Sequence, residues 1–534
     1  MSLNAETRSR CIKAYEEARR LWTARKTAEA KALLQDFWKA SGMRTLRQEV
    51  LMAYILRSEK RYVSEIESLH HTLEKFAETN DRDVLATAWS LLGEALRNLG
   101  EGELSVQAFL QSANIDPDVK GRLVECSNAI FAANAVENMT AGKMQALYAE
   151  YQRLLEGLPV VSFPLPDWEH KCLRVGYLSA DMCDHPVAQF IRPLLMEYSQ
   201  GDFDVYVYSL GRKKDEVTEE LRSGGAFWRD VKEREWEQIA RLVRADEIDI
   251  LVDLSGHTAG NALPVFHWRP AVVQISGIGY FNSTGMKETT GFLSDVYCAE
   301  EASSPYFTEP LLRLPHSHFC YRPFGEFPAI VPPPCRERGY VTFGCFNNFS
   351  KVNNKILALW KQILQEVPDA RLLLKHSLLG TEEGREYTKK RMERLGMPLE
   401  RIEMRGFSEN YLHEYGDVDI ALDTSPYPGG LTTCEALFMG VPVVTLAGDR
   451  HGARFGCSFL GNLDLEELAA RDEASYVSIA SQLAGDMELL GSLRQELRGR
   501  MLRSPLMDSK LYVRDVEELY RKLHREARGL QSYE

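Results

Sequence analysis

The sequence predicts an all-α N-terminal region followed by two parallel α/β units, and three observations carry that prediction. Residues 1–160 contain no convincing strand, whereas apolar residues recur there at helical spacing. From Leu173 onward the period changes, and short apolar or alternating runs are separated by helical segments, as in a parallel sheet with crossover helices. A Pro-rich crossing, RPFGEFPAIVPPPCRERG (Arg322 to Gly339), then divides this second part in two. The expected division is a helical arm over 1–160, a first lobe over 170–330 and a second lobe over 338–534.

Within the arm, segments such as CIKAYEEARRLW and VLATAWSLLGEALRNLG carry an apolar stripe. Trp89, Leu92, Gly93, Leu96, Gly100, Phe109 and Pro117 fall where a tetratricopeptide repeat places its Trp, Leu-Gly, large apolar residue, turn Gly, Phe and closing Pro. The pattern has a physical reason: Gly93 lets two helices approach while Trp89 and Phe109 fill the space between them. A generic helical bundle is the alternative, and either version binds or orients a partner rather than doing chemistry. Arg10 to Ser41 reads as another helical hairpin, and LPDWEHK (Leu165 to Lys171) as a link.

Four runs build the first lobe: LRVGYLSAD, DVYVYSL, IDILVDLSG and AVVQISGIG. Five build the second: YVTFGCFN, RLLLKHS, IEMRG, VDIALD and VPVVTL, with a closing helix over Leu511 to Leu530. Two such lobes enclose a cleft, and ligands of parallel sheets bind at the carboxyl ends of the strands.

Composition narrows the function classes. The 534 residues carry a net charge of −13, which argues against a protein that coats nucleic acid. No apolar run reaches membrane-spanning length and the N-terminus lacks a signal-peptide core, so a cytoplasmic location is expected. Ten Cys are scattered without a CxxC or Cys/His cluster in the sequence, which fits reduced, buried thiols rather than zinc or disulfides.

The most informative stretch is VDIALDTSPYPGGLTTCEALFMGVPVVTLAGDRHGARFG, which reads strand, loop, helix, strand. The loop and the unpaired N–H groups of the following helix form a natural site for a nucleotide diphosphate. Thr432 and Glu435 have capping-box spacing, so Glu435 either satisfies a backbone N–H or contacts ribose hydroxyls while the Thr432 and Thr433 hydroxyls meet phosphate. His451 and Arg454, after VVTLAGD, are expected to face the same region. Lys351 ends the turn FNNFSK, either as an ordinary surface cation or as the charge that neutralises a pyrophosphate.

In the first lobe Asp181, Asp184 and His185 follow the first strand; His185, held by Pro186, can act as proton acceptor or as donor to phosphate. His257 lies among small polar residues after the third strand, where a ligand could approach or an ordinary βα turn could form. Asp417-Val-Asp419 has metal-binding DxD spacing, but Asp419 falls within a buried-strand pattern, and no metal is expected.

Together, RVGYLSADMCDHPV, DILVDLSGHTAGNALPVFHWRPAVVQ, LLRLPHSHFCYRP, TFGCFNNFSKVN and the long stretch above resemble glycosyltransferase family 41, the O-linked N-acetylglucosamine transferase and SPINDLY family. They occur in the family's order, behind a tetratricopeptide-like region. The resemblance implies a GT-B fold that transfers N-acetylglucosamine from UDP-GlcNAc to Ser or Thr hydroxyls with inversion and without a catalytic metal or other cofactor. It implies catalytic roles for His185 and Lys351. It also implies donor-binding roles for Asn348, Tyr411, Thr432, Thr433, Glu435, His451 and Arg454, and acceptor or sugar contacts for Asp181, Asp184 and His257. The protein acceptor would engage the helical arm and the cleft.

There are departures from the animal members. Tyr411 stands where they have a His near the uracil, Asn348 where they have Gln, and Gly-Gly-Leu-Thr-Thr where they read Gly-His-Thr-Thr. The alternatives within the resemblance are another donor (GDP-fucose or UDP-glucose, O- or N-linked) or a repeat scaffold whose transferase part is inactive.

Overall fold

The computed structural model describes residues 5–164 and 168–529. The link expected at Leu165 to Lys171 therefore lies partly outside the described residues, as does the last residue of the expected closing helix. Eight helices form the arm as four antiparallel pairs: Ala5–Thr23 with Thr27–Ser41, Leu46–Ser58 with Tyr62–Lys75, Arg82–Asn98 with Gly102–Ile115, and Val119–Ala133 with Ala141–Leu155. The repeat pattern acts as its residues suggest. A Cβ on Gly93 would lie 2.8 Å from the Phe109 ring, so only glycine admits that ring between the helices of the third pair.

The arm docks on the second lobe. At the turn of the third pair, Gly100 has φ +79°, and a Cβ there would come within 2.7 Å of the Val352 carbonyl oxygen. Arg391 donates to Leu99 O at 3.2 Å, Tyr387 donates to Glu101, and the Glu383 carboxylate accepts from the N–H groups of Val63 and Ser64 at the start of a second-pair helix. The tip of the third pair is thus held against the loop that carries Lys351.

The first lobe is a seven-stranded sheet of β1 (Leu173–Ser179), β2 (Phe203–Ser209), β3 (Phe227–Asp230), β4 (Ile250–Asp253), β5 (Val273–Ser276), β6 (Gly291–Asp295) and β7 (Leu311–Leu314), in the order β3-β2-β1-β4-β5-β6-β7. The second contains β8 (Thr342–Cys345), β9 (Arg371–Lys375), β10 (Ile402–Arg405), β11 (Ile420–Leu422), β12 (Val443–Leu446) and β13 (Ala469–Ala470), ordered β10-β9-β8-β11-β12-β13. All pairings between these strands are parallel. The four runs expected in the first lobe are β1, β2, β4 and β5, and the five expected in the second are β8 to β12.

The strand order reverses between β1 and β4 and again between β8 and β11. The loops leaving these strands are where a doubly wound sheet opens a crevice. The closing helix, Ser509–Ala527, crosses back to the first lobe rather than capping the second. Its buried Tyr512, Val513, Val516, Tyr520 and Leu523 form one stripe. The Tyr520 and Tyr177 hydroxyls meet at 3.3 Å, and Glu517 accepts from Ser199 N at 2.7 Å.

Candidate active site

The loops after β1, β4, β5, β8 and β11, together with the arm, border a cavity of ≈ 470 Å³. The arm contributes Arg97, Asn98 and Phe131. The first lobe contributes Asp181, His185, Thr258 and Phe281, and the second Asn348, Lys351, Tyr427, Gly430 and Thr432. Three rings, one from each part of the chain, join at its wall: Phe281 lies 4.3 Å from Tyr427 and 5.9 Å from Phe131 between ring centroids.

The loop after β11 is organised by Asp423, which is buried at the strand end. Its Oδ1 accepts from Gly429 N at 2.7 Å, Thr424 N at 2.9 Å and Asn347 Nδ2 at 2.9 Å, and its Oδ2 accepts from Thr445 Oγ1 at 3.0 Å. Burial raises its pKa, and these donors together with nearby Lys351 oppose the rise. Asn347 also accepts from the Thr432 hydroxyl, so Asp423, Asn347 and Thr432 form one chain from the strand to the helix N-terminus. Gly429 is needed for close approach: a Cβ there would fall 2.4 Å from Thr433 Oγ1 and 2.7 Å from Asn347 Oδ1.

The helix begins at Leu431 with Gly430 as its N-cap, and no side chain caps it. The capping box anticipated for Thr432 and Glu435 therefore does not form, because the helix starts one residue before Thr432. Glu435 instead accepts a hydrogen bond from the Tyr411 hydroxyl, and burial raises its pKa to about 7. Thr432 and the first N–H groups of this helix are left at the cavity, where anionic groups are favoured.

Lys351 reaches the cavity from the loop after β8. Its Nζ donates to Pro428 O at 2.8 Å and sits 3.8 Å from the Tyr427 ring centroid. Burial pulls its pKa down to about 8, opposed by the Asp423 carboxylate. Across the cavity, His185 is the N-cap of the helix Pro186–Met196, and its Nδ1 accepts from Val187 N at 3.3 Å. In the neutral ring an accepting Nδ1 leaves the proton on Nε2, so His185 offers a donor to the cavity rather than a base. Asp181 stands 3.8 Å from His185 Nδ1, and burial raises its pKa while His185 opposes the rise.

Seven sequence-predicted residues lie outside the cavity lining: Tyr411 and Glu435, paired with each other, Thr433, buried behind Thr432, and His257, His451, Arg454 and Asp184. His257 is buried because its ring turns into the interface with the arm, where it pairs with Ser127 Oγ at 2.8 Å and Thr284 O at 2.9 Å. His451 is fully buried between the lobes, packed on Phe292, Phe307 and His318, and burial beside His318 pushes its pKa down to about 3. Arg454 is spent on Tyr297 O at 3.0 Å, Gly448 O at 3.0 Å and Glu300. Asp184 has its side chain 74% exposed, 3.7 Å from Lys213.

Of the DxD pair, Asp419 accepts from Cys335 N at 3.0 Å and Thr342 N at 2.8 Å, while Asp417 pairs with Arg338 and Arg405. The two carboxylates do separate structural work at the start of β11. Residues that the sequence reading passed over are Asn347, Asp423 and Tyr427, which flank or lie within the quoted motifs, and Arg97, which lies in the arm and carries no local signal.

The model of glycosyl transferase family 41 matches residues 143–328 and 337–516, more than half of the chain. The chain belongs to glycosyl transferase family 41. Family 41 relatives include a probable UDP-N-acetylglucosamine–peptide N-acetylglucosaminyltransferase SPINDLY of Solanum lycopersicum, 35% identical over 420 residues, covering 77% of this chain and 45% of that protein. The protein of the same name in Arabidopsis thaliana is 37% identical over 358 residues, covering 66% and 39%. This family 41 chain thus spans about half the length of the curated relatives it matches. Among solved structures, a mutant of the Thermobaculum terrenum O-GlcNAc transferase superposes with a TM-score of 0.86 at 28% identity, over 99% of both chains. The two facing parallel-sheet lobes of this family 41 member, behind a tetratricopeptide-like arm, are the GT-B arrangement. Among the described residues no helix is long and apolar enough to cross a membrane.

Proposed function

We propose that the chain is an inverting protein O-glycosyltransferase that moves N-acetylglucosamine from UDP-GlcNAc to Ser or Thr hydroxyls of a protein acceptor. The observation that carries this reading is convergence. Lys351, the Thr432 hydroxyl and the helix N-terminus at Leu431 border one cavity, opposite Asp181 and His185 of the other lobe. The names of the family 41 relatives support the donor and the peptide acceptor.

The chemistry follows from where charge develops. As the bond between the anomeric carbon and the diphosphate breaks, negative charge builds on UDP. Lys351 and the helix amides are already oriented for it, so little reorganisation is needed at the moment of reaction. The acceptor hydroxyl attacks from the opposite face and loses its proton to the Asp181 carboxylate, while His185 Nε2–H donates to an oxygen of the donor. No cofactor has a part in these steps.

The arm reaches this reaction directly. The Arg97 guanidinium lies 5.3 Å from the Phe131 ring centroid, and among the described residues it has no hydrogen bond or ion pair. A cation presented this way suits a carbonyl or carboxylate of the acceptor polypeptide. All ten cysteines are free, eight of them buried, in keeping with a cytoplasmic protein.

Intact-mass analysis of host proteins incubated with the chain and UDP-GlcNAc tests the assignment. A gain of one N-acetylhexosamine is expected. A hexose or deoxyhexose gain from another nucleotide sugar, or no gain with any donor, would replace it.

A further inference from the structure

A second group of reactive side chains lies behind Phe281 and Phe455, outside the cavity. Cys298 follows β6, His318 follows β7, and His451 arrives from the second lobe after β12. One ligand-type atom from each lies within 4.8 Å of the other two, and all three residues are fully buried.

The hydrogen bonds settle which atoms are available. His451 Nδ1 meets the Phe281 carbonyl oxygen at 3.1 Å, and His318 Nδ1 meets Asp295 Oδ2. Both partners are acceptors, so each Nδ1 carries a proton, and in the neutral ring Nε2 then bears the lone pair. Neither Nε2 has a hydrogen-bond partner. Two buried imidazole lone pairs without a partner are costly unless a hydrogen-bond donor or a metal ion engages them. Beside them the Cys298 thiol donates to the Arg454 carbonyl oxygen at 3.4 Å and also lies close to the Asp295 carboxylate.

We propose that Cys298, His318 and His451 bind one thiophilic transition-metal ion, zinc(II) or copper(I), as a tie between the two lobes. A thiolate with two imidazoles is a donor set of the softness these ions select. Asp295 completes the arrangement as a carboxylate behind a ligating His: it fixes the His318 ring and also accepts from Cys298 N at 2.8 Å and Ser458 Oγ at 2.8 Å. On binding, the Cys298 S–H bond gives way to a sulfur–metal bond, the proton passes to solvent and nothing is oxidised or reduced. The thiolate and the Asp295 carboxylate together balance a divalent charge. The site is separate from the transfer chemistry and leaves the leaving group to Lys351.

The test uses the full chain, purified through a tag that does not chelate, stripped of metal and titrated separately with zinc(II) and with copper(I) under reducing conditions. One ion per chain with a raised Tm is expected from at least one arm, and the arm that responds names the ion. Cobalt(II) loading should give a thiolate-to-metal charge-transfer band. Cys298→Ser should abolish that band and weaken binding by about 10-fold or more, while its Tm shift with UDP stays as in wild type. Equal metal uptake by wild type and Cys298→Ser, or no stoichiometric uptake of either ion by the folded wild-type chain, overturns the proposal. If Cys298→Ser does not fold, the wild-type titration decides alone.

Discussion

Replacing Lys351 by Met separates function from stability, because the structure assigns the charge a cost in one and a gain in the other. Burial lowers its pKa from the ordinary lysine value of 10.5 to about 8. At ~1.4 kcal/mol per pKa unit, holding the charge in the cavity wall costs the fold at most about 3.5 kcal/mol, less where cavity water screens it. The sign follows from linkage. Below pH ~8 the lysine is protonated in both folded and unfolded chains, so the full penalty applies, and it disappears as pH rises from ~8 to ~10.4. Met keeps the aliphatic stem over Tyr427 and removes the penalty. The variant should therefore be as stable as wild type or more so in urea unfolding at pH 7, with the difference shrinking toward pH 10. Turnover should fall by roughly 10²–10³, the usual cost of losing one preorganised group facing developing charge. For the wild-type free enzyme, kcat/KM should decline as pH rises through about 8. Near-normal turnover by purified Lys351→Met, or a loss of activity matched by a loss of stability, would refute the reasoning.

Three further substitutions probe the other walls of the cavity. Asp181→Asn should lower kcat by about 10²–10⁴ while leaving the UDP-induced Tm shift intact, and an unchanged kcat would remove Asp181 as the proton acceptor. Gly429→Ala forces a methyl into the 2.4 Å gap to Thr433 and should weaken UDP in calorimetric titration without unfolding the chain; unaltered affinity would show that the loop is not part of the donor site. Arg97→Gln should raise KM for the protein acceptor and leave UDP affinity unchanged, whereas a change in UDP affinity alone would move the guanidinium to the donor side.

How much of this was legible in the sequence depended on how locally each feature is determined. Strands β1, β2, β4, β5, β8, β9, β11 and β12 are largely buried on both faces and so appear as apolar runs, whereas the edge strand β10 holds no buried residue and is marked only by its alternating apolar residues. The edge strands β3 and β7 are partly exposed, β6 sits amid polar residues and β13 is only two residues long, so none carries a fully buried run. Asp181, His185, Asn348, Lys351 and Thr432 were readable because each sits a few residues beyond a strand, where the chain has little choice but to meet the crevice. His257, His451 and Arg454 sit equally near strand ends. A side chain can turn either outward to the cavity or inward to a neighbouring element, and only packing decides. Arg97 and the Cys298, His318 and His451 group show the same limit from the other side: their partners are distant in sequence, and no local spacing brings them together. The arm makes the consequence concrete. Gly100 and Gly93 are there to let backbone and ring approach, and the approach they permit is what delivers Arg97 to the cavity. In this chain the repeat region is therefore part of the active-site wall, and shortening the arm from its inner end should cost catalysis as well as acceptor binding.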